Sequence, residues 1–185
     1  YINLSDSIKP SSKTACDKLA KQKIKLSMLS GDNQAVTKKV AEKLGIADYK
    51  YSLLPEEKYS ILEEKLKNIK KGHIAFVGDG LNDAPSLTRA DVGISMGLNG
   101  STASIEASDI VLADDNPNKI NHLIKISKFT KKIIVQNISF AGVTKLTFLV
   151  LGTLGLVGML GAVFADVGVT LLTILNTIRI IKYKV

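Results

Sequence analysis

An α/β parallel sheet of the doubly wound kind, followed by an α-helical transmembrane hairpin, is the fold class that this 185-residue sequence predicts. Three observations carry it. From Ile24 to Ala113 short apolar runs lead repeatedly into a turn and then into a charged, helix-periodic stretch, and strands alternating with helices build parallel sheets. From Ile133 to Ile178 the chain is almost continuously apolar, with Lys145 and Asp166 as its only charges. All but four of the 25 Lys+Arg and all but one of the 17 Asp+Glu fall before Ile133, so a charged soluble part (1–132) and a membrane part (133–185) are expected.

The elements follow in order. "IKLSML" reads as a strand leading into "SGDN" and a helix from Gln34 to Leu44, with Gly45 just past its end. "YKYSLL" leads into "PEEK" and a helix to about Lys67, with Pro55 at its first position. "HIAFV" leads into "GDGLNDAP" and a short helix; "VGISM" and "DIVLA" are further strands. From Ile120 the apolar spacing turns helical through Leu123, Ile124, Ile126, Phe129, Ile133 and Ile134, which predicts a helix running from the soluble part into the membrane. The apolar tail has room for two crossings of about 20 residues each, expected at about 133–153 and 159–180. "KFTKK" precedes the tail and "RIIKYK" follows it, and positive flanks place both ends, and the soluble part, on the cytoplasmic side of an integral membrane protein.

The formal charge of +8 is accounted for by a solvated surface and by attraction to anionic lipid of the bilayer. No nucleic-acid partner is expected, since no aromatic platform accompanies the lysines. The single cysteine, Cys16, excludes an intrachain disulfide and a cysteine metal cage within these residues. The chain opens on Tyr1, and a piece of a longer protein is expected.

In a doubly wound sheet ligands sit at the carboxyl ends of the strands. There the sequence places Ser30, Gly31 and Asp32; then Lys58 at the start of a helix; then Asp79, Asn82 and Asp83. Two carboxylates on a tight turn suit Mg2+, which takes oxygen ligands and keeps several waters. A hydroxyl, backbone N–H groups and a lysine suit phosphoryl oxygens. Each turn alone is ordinary loop chemistry; the order and spacing of all three make a phosphate and Mg2+ site.

"MLSGDN", "LLPEEK" and "VGDGLNDAPSLTRADVGISMG" closely resemble the second, third and fourth motifs of the phosphorylation domain of P-type ATPases, within the haloacid dehalogenase superfamily. The resemblance implies a partial Rossmann-like, haloacid dehalogenase-like sheet, ATP as substrate, Mg2+ as cofactor and an aspartyl-phosphate intermediate. It implies that Ser30, where the family usually has Thr, binds phosphoryl oxygens with the Gly31 and Asp32 backbone nearby. Lys58 then neutralises phosphate charge and holds the nucleophile's carboxylate, Asp79 binds Mg2+ with Asp83 in support, and Asn82 hydrogen-bonds the phosphate or the nucleophile. The family's nucleophile lies in an Asp-Lys-Thr-Gly-Thr motif that these residues do not contain. The chain alone is therefore expected to be inactive and to need the remaining domains of a parent ATPase. Thr102 stands where the family commonly has Asp, a change expected to act on local helix capping.

A charge inside a membrane span is costly and marks a functional candidate. If the spans lie as expected, Lys145 and Asp166 approach each other across an antiparallel pair. "NISFAGVTKLTFLVLG" and "AVFADVGVTLLTILNTIRII" resemble the last two helices of the zinc, cadmium and lead subgroup of heavy-metal P-type ATPases. This resemblance implies that Asp166 takes part in binding the transported divalent ion and that Lys145 is its counter-charge; carboxylate oxygen suits Zn2+ or Cd2+. Two other readings stay open: a membrane-anchored phosphatase of the same superfamily, and a non-catalytic chain from a truncated or split gene.

Overall fold

The computed structural model describes residues 8–78, 81–97, 102–114 and 116–183. They form two compact units, the first reaching to Asn121 and the second beginning at His122.

The first unit opens with a helix not anticipated from the sequence, α1 (Pro10–Lys21). Pro10 stands in its first turn, where a missing N–H costs nothing; Ala15 and Leu19, four residues apart, form its buried stripe. It closes where Lys23 takes a φ of 61° and the Ile24 N–H bonds back to the Leu19 carbonyl. That closure uses Ile24, so β1 is only Ser27–Leu29, shorter than the apolar run. Helix α2 (Gln34–Leu44) starts at Asn33, whose side chain accepts the Val36 N–H, and ends at Gly45 with a left-handed φ of 74°. Strand β2 (Asp48–Lys50) pairs with β1 in parallel, from Ser27 opposite Asp48 to Leu29 opposite Lys50.

Helix α3 (Pro55–Asn68) begins at the expected proline. Leu54 has no oxygen with which to cap it, and Glu57 reaches back to accept the Leu54 N–H at 2.7 Å. Then come β3 (Ala75–Gly78), a 3₁₀ turn (Leu81–Asp83), α4 (Ala84–Arg89), β4 (Val92–Met96), α5 (Thr102–Glu106) and β5 (Ile110–Leu112). Thr102 is the first residue of α5. Strands β3, β4 and β5 form a parallel sheet with β4 in the middle, which is why Gly93, Ile94 and Ser95 of β4 are all buried. Helix α4 lies directly on that strand. A Cβ at Gly93 would come within 2.4 Å of the Leu87 carbonyl oxygen, so only glycine permits the approach.

The described strands therefore make two parallel sheets, one of two strands and one of three. Among them β4 has two neighbours, and β1, β2, β3 and β5 have one each. Helix α6 (Asn118–Thr153) starts in the first unit, where the Asn118 amide donates to the Ser11 carbonyl and the buried Asn121 amide to the Ala15 carbonyl. It is a helix of 36 residues, and the apolar spacing from Ile120 predicts its helical character though not its continuity.

In the second unit α6 is followed by a turn at Gly155, which has a left-handed φ of 72° and whose N–H bonds to the Gly152 carbonyl. Helix α7 (Met159–Val163), a π-helical turn (Phe164–Gly168) and α8 (Val169–Ile181) then run on without a break. Helix α6 and the stretch Met159–Ile181 are each long and apolar enough to cross a membrane. Ile133, Ala165 and Val169 are buried in this unit, while most of its other large apolar side chains are exposed, the distribution a lipid-facing helix pair requires.

Candidate functional site

The loops after β1 and β2 are fastened to each other by backbone. The Ser30 N–H donates to the Lys50 carbonyl at 3.0 Å, the Leu53 N–H to the Ser30 carbonyl at 3.0 Å, and the Ser52 N–H to the Asp32 carbonyl at 2.7 Å. Ser52 reaches its partner with a φ of 53°, a left-handed conformation that a serine adopts only when its surroundings hold it there. Gly31 lies in the crowded part of this contact, since a Cβ there would be 3.3 Å from the Leu53 carbonyl oxygen. Within the loop the Ser30 hydroxyl donates to Asp32 Oδ2 at 2.9 Å and accepts the Asp32 N–H at 3.2 Å. Among the described residues the Gly31 N–H keeps no partner, which leaves it available to an anion.

The same fastening sets the start of α3. Lys58, in its first turns, sends Nζ to Asp83 Oδ1 at 3.0 Å, with the two side chains 18% and 14% exposed. Asp83 precedes α4 and leans over the end of β3: a Cβ on Gly78 would lie 2.9 Å from Asp83 Cβ and 3.0 Å from Oδ2. The bare glycine therefore makes room for the carboxylate at the carboxyl end of its strand. Asp83 Oδ1 is taken by the lysine, and Oδ2 is the oxygen left to a cation, a donor chemistry that fits Mg2+. Asn82 is exposed in the 3₁₀ turn. Asp79, expected as the Mg2+ ligand, lies outside the described residues. The structure thus brings together Ser30, Gly31 and Asp32 as one loop and Lys58 with Asp83 as one ion pair, with the Leu53 segment joining the two.

Two peripheral ion pairs hold α3 in place. Lys65 of α3 bonds Asp48 of β2 and holds its carboxyl below the usual carboxylate range. Arg89 of α4 bonds Glu63 of α3 and, with Lys67, likewise lowers that carboxyl. Cys16 is half-buried and burial raises its thiol pKa, so it stays protonated and unreactive at neutral pH.

In the second unit Lys145 Nζ meets Asp166 Oδ1 at 2.8 Å. Asp166 sits in the π-helical turn, a local widening that frees backbone from the α pattern and is frequent at functional sites. Its own carbonyl accepts the Thr170 hydroxyl at 2.7 Å. The pairing of the two charges was legible from their positions in the two spans; the π turn was not. A further group went unread: the Asn137 amide donates to the Thr173 carbonyl at 3.2 Å and to Thr177 Oγ1 at 3.0 Å, and the Asn176 amide to Asn137 Oδ1 at 2.7 Å. Amides inside apolar runs were the available signal.

Comparison with known proteins bears on both units. Residues 1–91 match the haloacid dehalogenase-like hydrolase family. A zinc-transporting ATPase of Synechocystis is 46% identical over 98% of this chain, and a cadmium, zinc and cobalt-transporting ATPase of Bacillus subtilis is 43% identical over 99%. The chain spans about a quarter of the length of these relatives. The crystal structure of a zinc-transporting PIB-type ATPase in its E2.Pi state superposes on 95% of this chain with a TM-score of 0.88 at 34% identity, this chain covering 28% of that one. A phosphatase from Moraxella catarrhalis solved with magnesium and phosphate ions has a TM-score of 0.56 over 65% of this chain and 71% of its own, at 22% identity, a likeness of fold alone.

Proposed function

Because the chain belongs to the heavy-metal branch of the P-type ATPases, we propose that it works as part of an ATP-driven exporter of divalent ions such as Zn2+, Cd2+ or Pb2+, acting through an aspartyl-phosphate. In this reading residues 1–132 are the later half of the phosphorylation domain and residues 133–185 the final membrane hairpin. The soluble part and the carboxyl terminus face the cytoplasm. The nucleophile comes from elsewhere in the intact transporter, since no Asp-Lys-Thr-Gly-Thr stretch occurs here.

Ser30 turns its hydroxyl from Asp32 to a phosphoryl oxygen, and the Gly31 N–H adds a second donor. Lys58, fixed by Asp83, places a positive charge where the phosphoryl group and the nucleophile's carboxylate meet. Asn82 donates to the same oxygens. Asp79 and Asp83 would hold Mg2+, which when bound supplies charge neutralisation for the phosphoryl oxygens. The Asp83 carboxylate is aimed by the lysine. Positioning and electrostatics of this kind are nearly all that phosphoryl transfer asks of a protein.

The observation that carries the transport reading is the Lys145–Asp166 pair, two opposite charges 2.8 Å apart within an otherwise apolar hairpin. Asp166 supplies a carboxylate oxygen to the divalent ion, and Lys145 takes over that carboxylate when the ion leaves. The test is metal-stimulated ATP hydrolysis by the intact transporter in lipid, comparing Zn2+, Cd2+, Pb2+ and Cu+, with Asp166→Ala alongside. Stimulation by divalent ions that the substitution abolishes is the expected result. Stimulation by Cu+ alone, or an indifferent Asp166→Ala, returns Asp166 to a structural role.

A further inference from the structure

Two helical turns from the ion pair of the hairpin lies a group of interhelical amide bonds. Asn137 lies eight residues before Lys145 on α6, about 12 Å along the axis at 1.5 Å per residue. Its side chain reaches across the pair: the amide donates to the Thr173 carbonyl and to Thr177 Oγ1, and its oxygen accepts from Asn176. The Asn176 oxygen in turn accepts from Arg179 at 2.9 Å. All three Asn137 bonds cross from α6 to the other helix, which makes this group a connector between helices.

Four contacts along the pair agree on one antiparallel register. From the basic end inward they are Phe129 stacked on Tyr183 at 4.1 Å, Asn137 bonded to Asn176, Lys145 bonded to Asp166, and Phe148 against Phe164 at 6.2 Å. Each step forward on α6 is a step back along the π turn, α8 and the residue Tyr183 beyond it. Apolar packing in lipid is weakly selective, because lipid tails are as apolar as the side chains they replace. A slip of one turn, about 5.4 Å, keeps apolar surfaces in contact but leaves amides without partners in hydrocarbon, which is costly. One buried asparagine pair fixes register in coiled coils by the same logic.

We propose that Asn137 and Asn176 are positioning residues that set the register in which Lys145 meets Asp166. The consequence for metal binding rests on the ion-site reading above; the register itself does not. With three interhelical bonds of the strength typical in membranes, the register preference should change about twentyfold on their loss.

The test uses the whole 185-residue chain in lipid vesicles. Its one cysteine is removed by Cys16→Ser, Phe148→Cys is introduced, and a second cysteine is scanned through residues 160–167 with a short bis-maleimide. The parent should cross-link in a narrow peak at the positions facing Phe148. In Asn137→Leu/Asn176→Leu, which keeps side-chain volume, the peak should broaden by a turn; Thr177→Val, a milder change, should broaden it less. An unchanged peak in the double variant overturns the proposal. In the intact transporter the same double variant should raise the half-saturating metal concentration with little change in kcat, and should have no further effect once Lys145→Ala is present. Losses that simply add to that of Lys145→Ala refute the positioning role. If Lys145→Ala and Asp166→Ala leave metal stimulation untouched, the ion-site reading fails, and the cross-linking pattern alone decides the register.

Discussion

Replacing Gly78 by alanine tests the phosphate and Mg2+ site through a single methyl group. The new Cβ would lie 2.9 Å from Asp83 Cβ, 3.2 Å from Cγ and 3.0 Å from Oδ2. Asp83 Cβ is next to the backbone and cannot swing away, so the 3₁₀ turn must move and take the carboxylate off Lys58. At 3.0 Å and an effective dielectric of about 20 the pair attracts by about 5 kcal/mol, much of it offset by desolvation. Leaving one mostly buried partner unpaired should cost about 2–3 kcal/mol. If Asp83 supports the cation, Mg2+ affinity should fall about 10- to 100-fold, as it does when a supporting group at a metal site is lost. The assay is phosphoenzyme formation by the intact transporter as a function of Mg2+ concentration, with Gly142→Ala as the control, since a Cβ there meets nothing within 4 Å. Gly78→Ala/Asp83→Gly removes the clashing atoms but leaves Lys58 unpaired, so it should relieve the overpacking while restoring neither full stability nor the Mg2+ dependence. A Gly78→Ala protein with parental Mg2+ dependence would refute the account of Asp83.

Gly93→Ala should destabilise the first unit by about 1–3 kcal/mol, the usual range for overpacking, because its Cβ would meet the Leu87 carbonyl at 2.4 Å; chemical denaturation of the chain measures it. Asp48 and Glu63 are carboxylates lowered by their lysine and arginine partners. Their contribution is therefore complete above their unfolded pKa values and is lost as pH falls through the folded ones, from about pH 4.5 downward. Both pairs are solvent-exposed, so the slope of stability with pH should be shallow, and Lys65→Met/Arg89→Met should flatten it. Residues 1–132 alone should melt at low temperature with a broad transition; a sharp, high-temperature transition would count against the two-sheet account.

Much of the first unit was legible because turn chemistry is local. Asn33, Gly45 and Pro55 fix helix ends through capping, a left-handed φ and a preset φ, respectively, and each acts within one turn of chain. Helix α1 was missed because its buried stripe is only Ala15 and Leu19 within a polar, lysine-rich stretch, too thin a signal for periodicity. The Lys58–Asp83 pair is half legible: the sequence places both residues at the site and points Lys58 toward phosphate, and the structure adds its bond to Asp83. Their 25-residue separation hides the contact from any local pattern. The π turn at Asp166 has no signature in a hydropathy profile, since one extra residue per turn leaves the apolar run unchanged.

The split into two sheets has a physical reading that bears on the nucleophile proposed above. A central strand should be buried on both flanks, as β4 is, yet β3 leaves Val77 43% exposed and Ala75 exposed as well. A β-branched apolar residue on a parallel strand is ordinarily covered, because parallel sheets are buried structures. Strand β1 has the same one-sided pairing, and the Ser30 loop that follows it is joined through the Leu53 segment and α3 to Asp83 beyond β3. One further parallel strand laid along β3 and β1 would cover Val77 and satisfy both edges. Its carboxyl end would arrive where Ser30, Lys58 and Asp83 are already fixed. A nucleophilic aspartate at that end would then find its phosphate donors preorganised by contacts that this chain makes within itself.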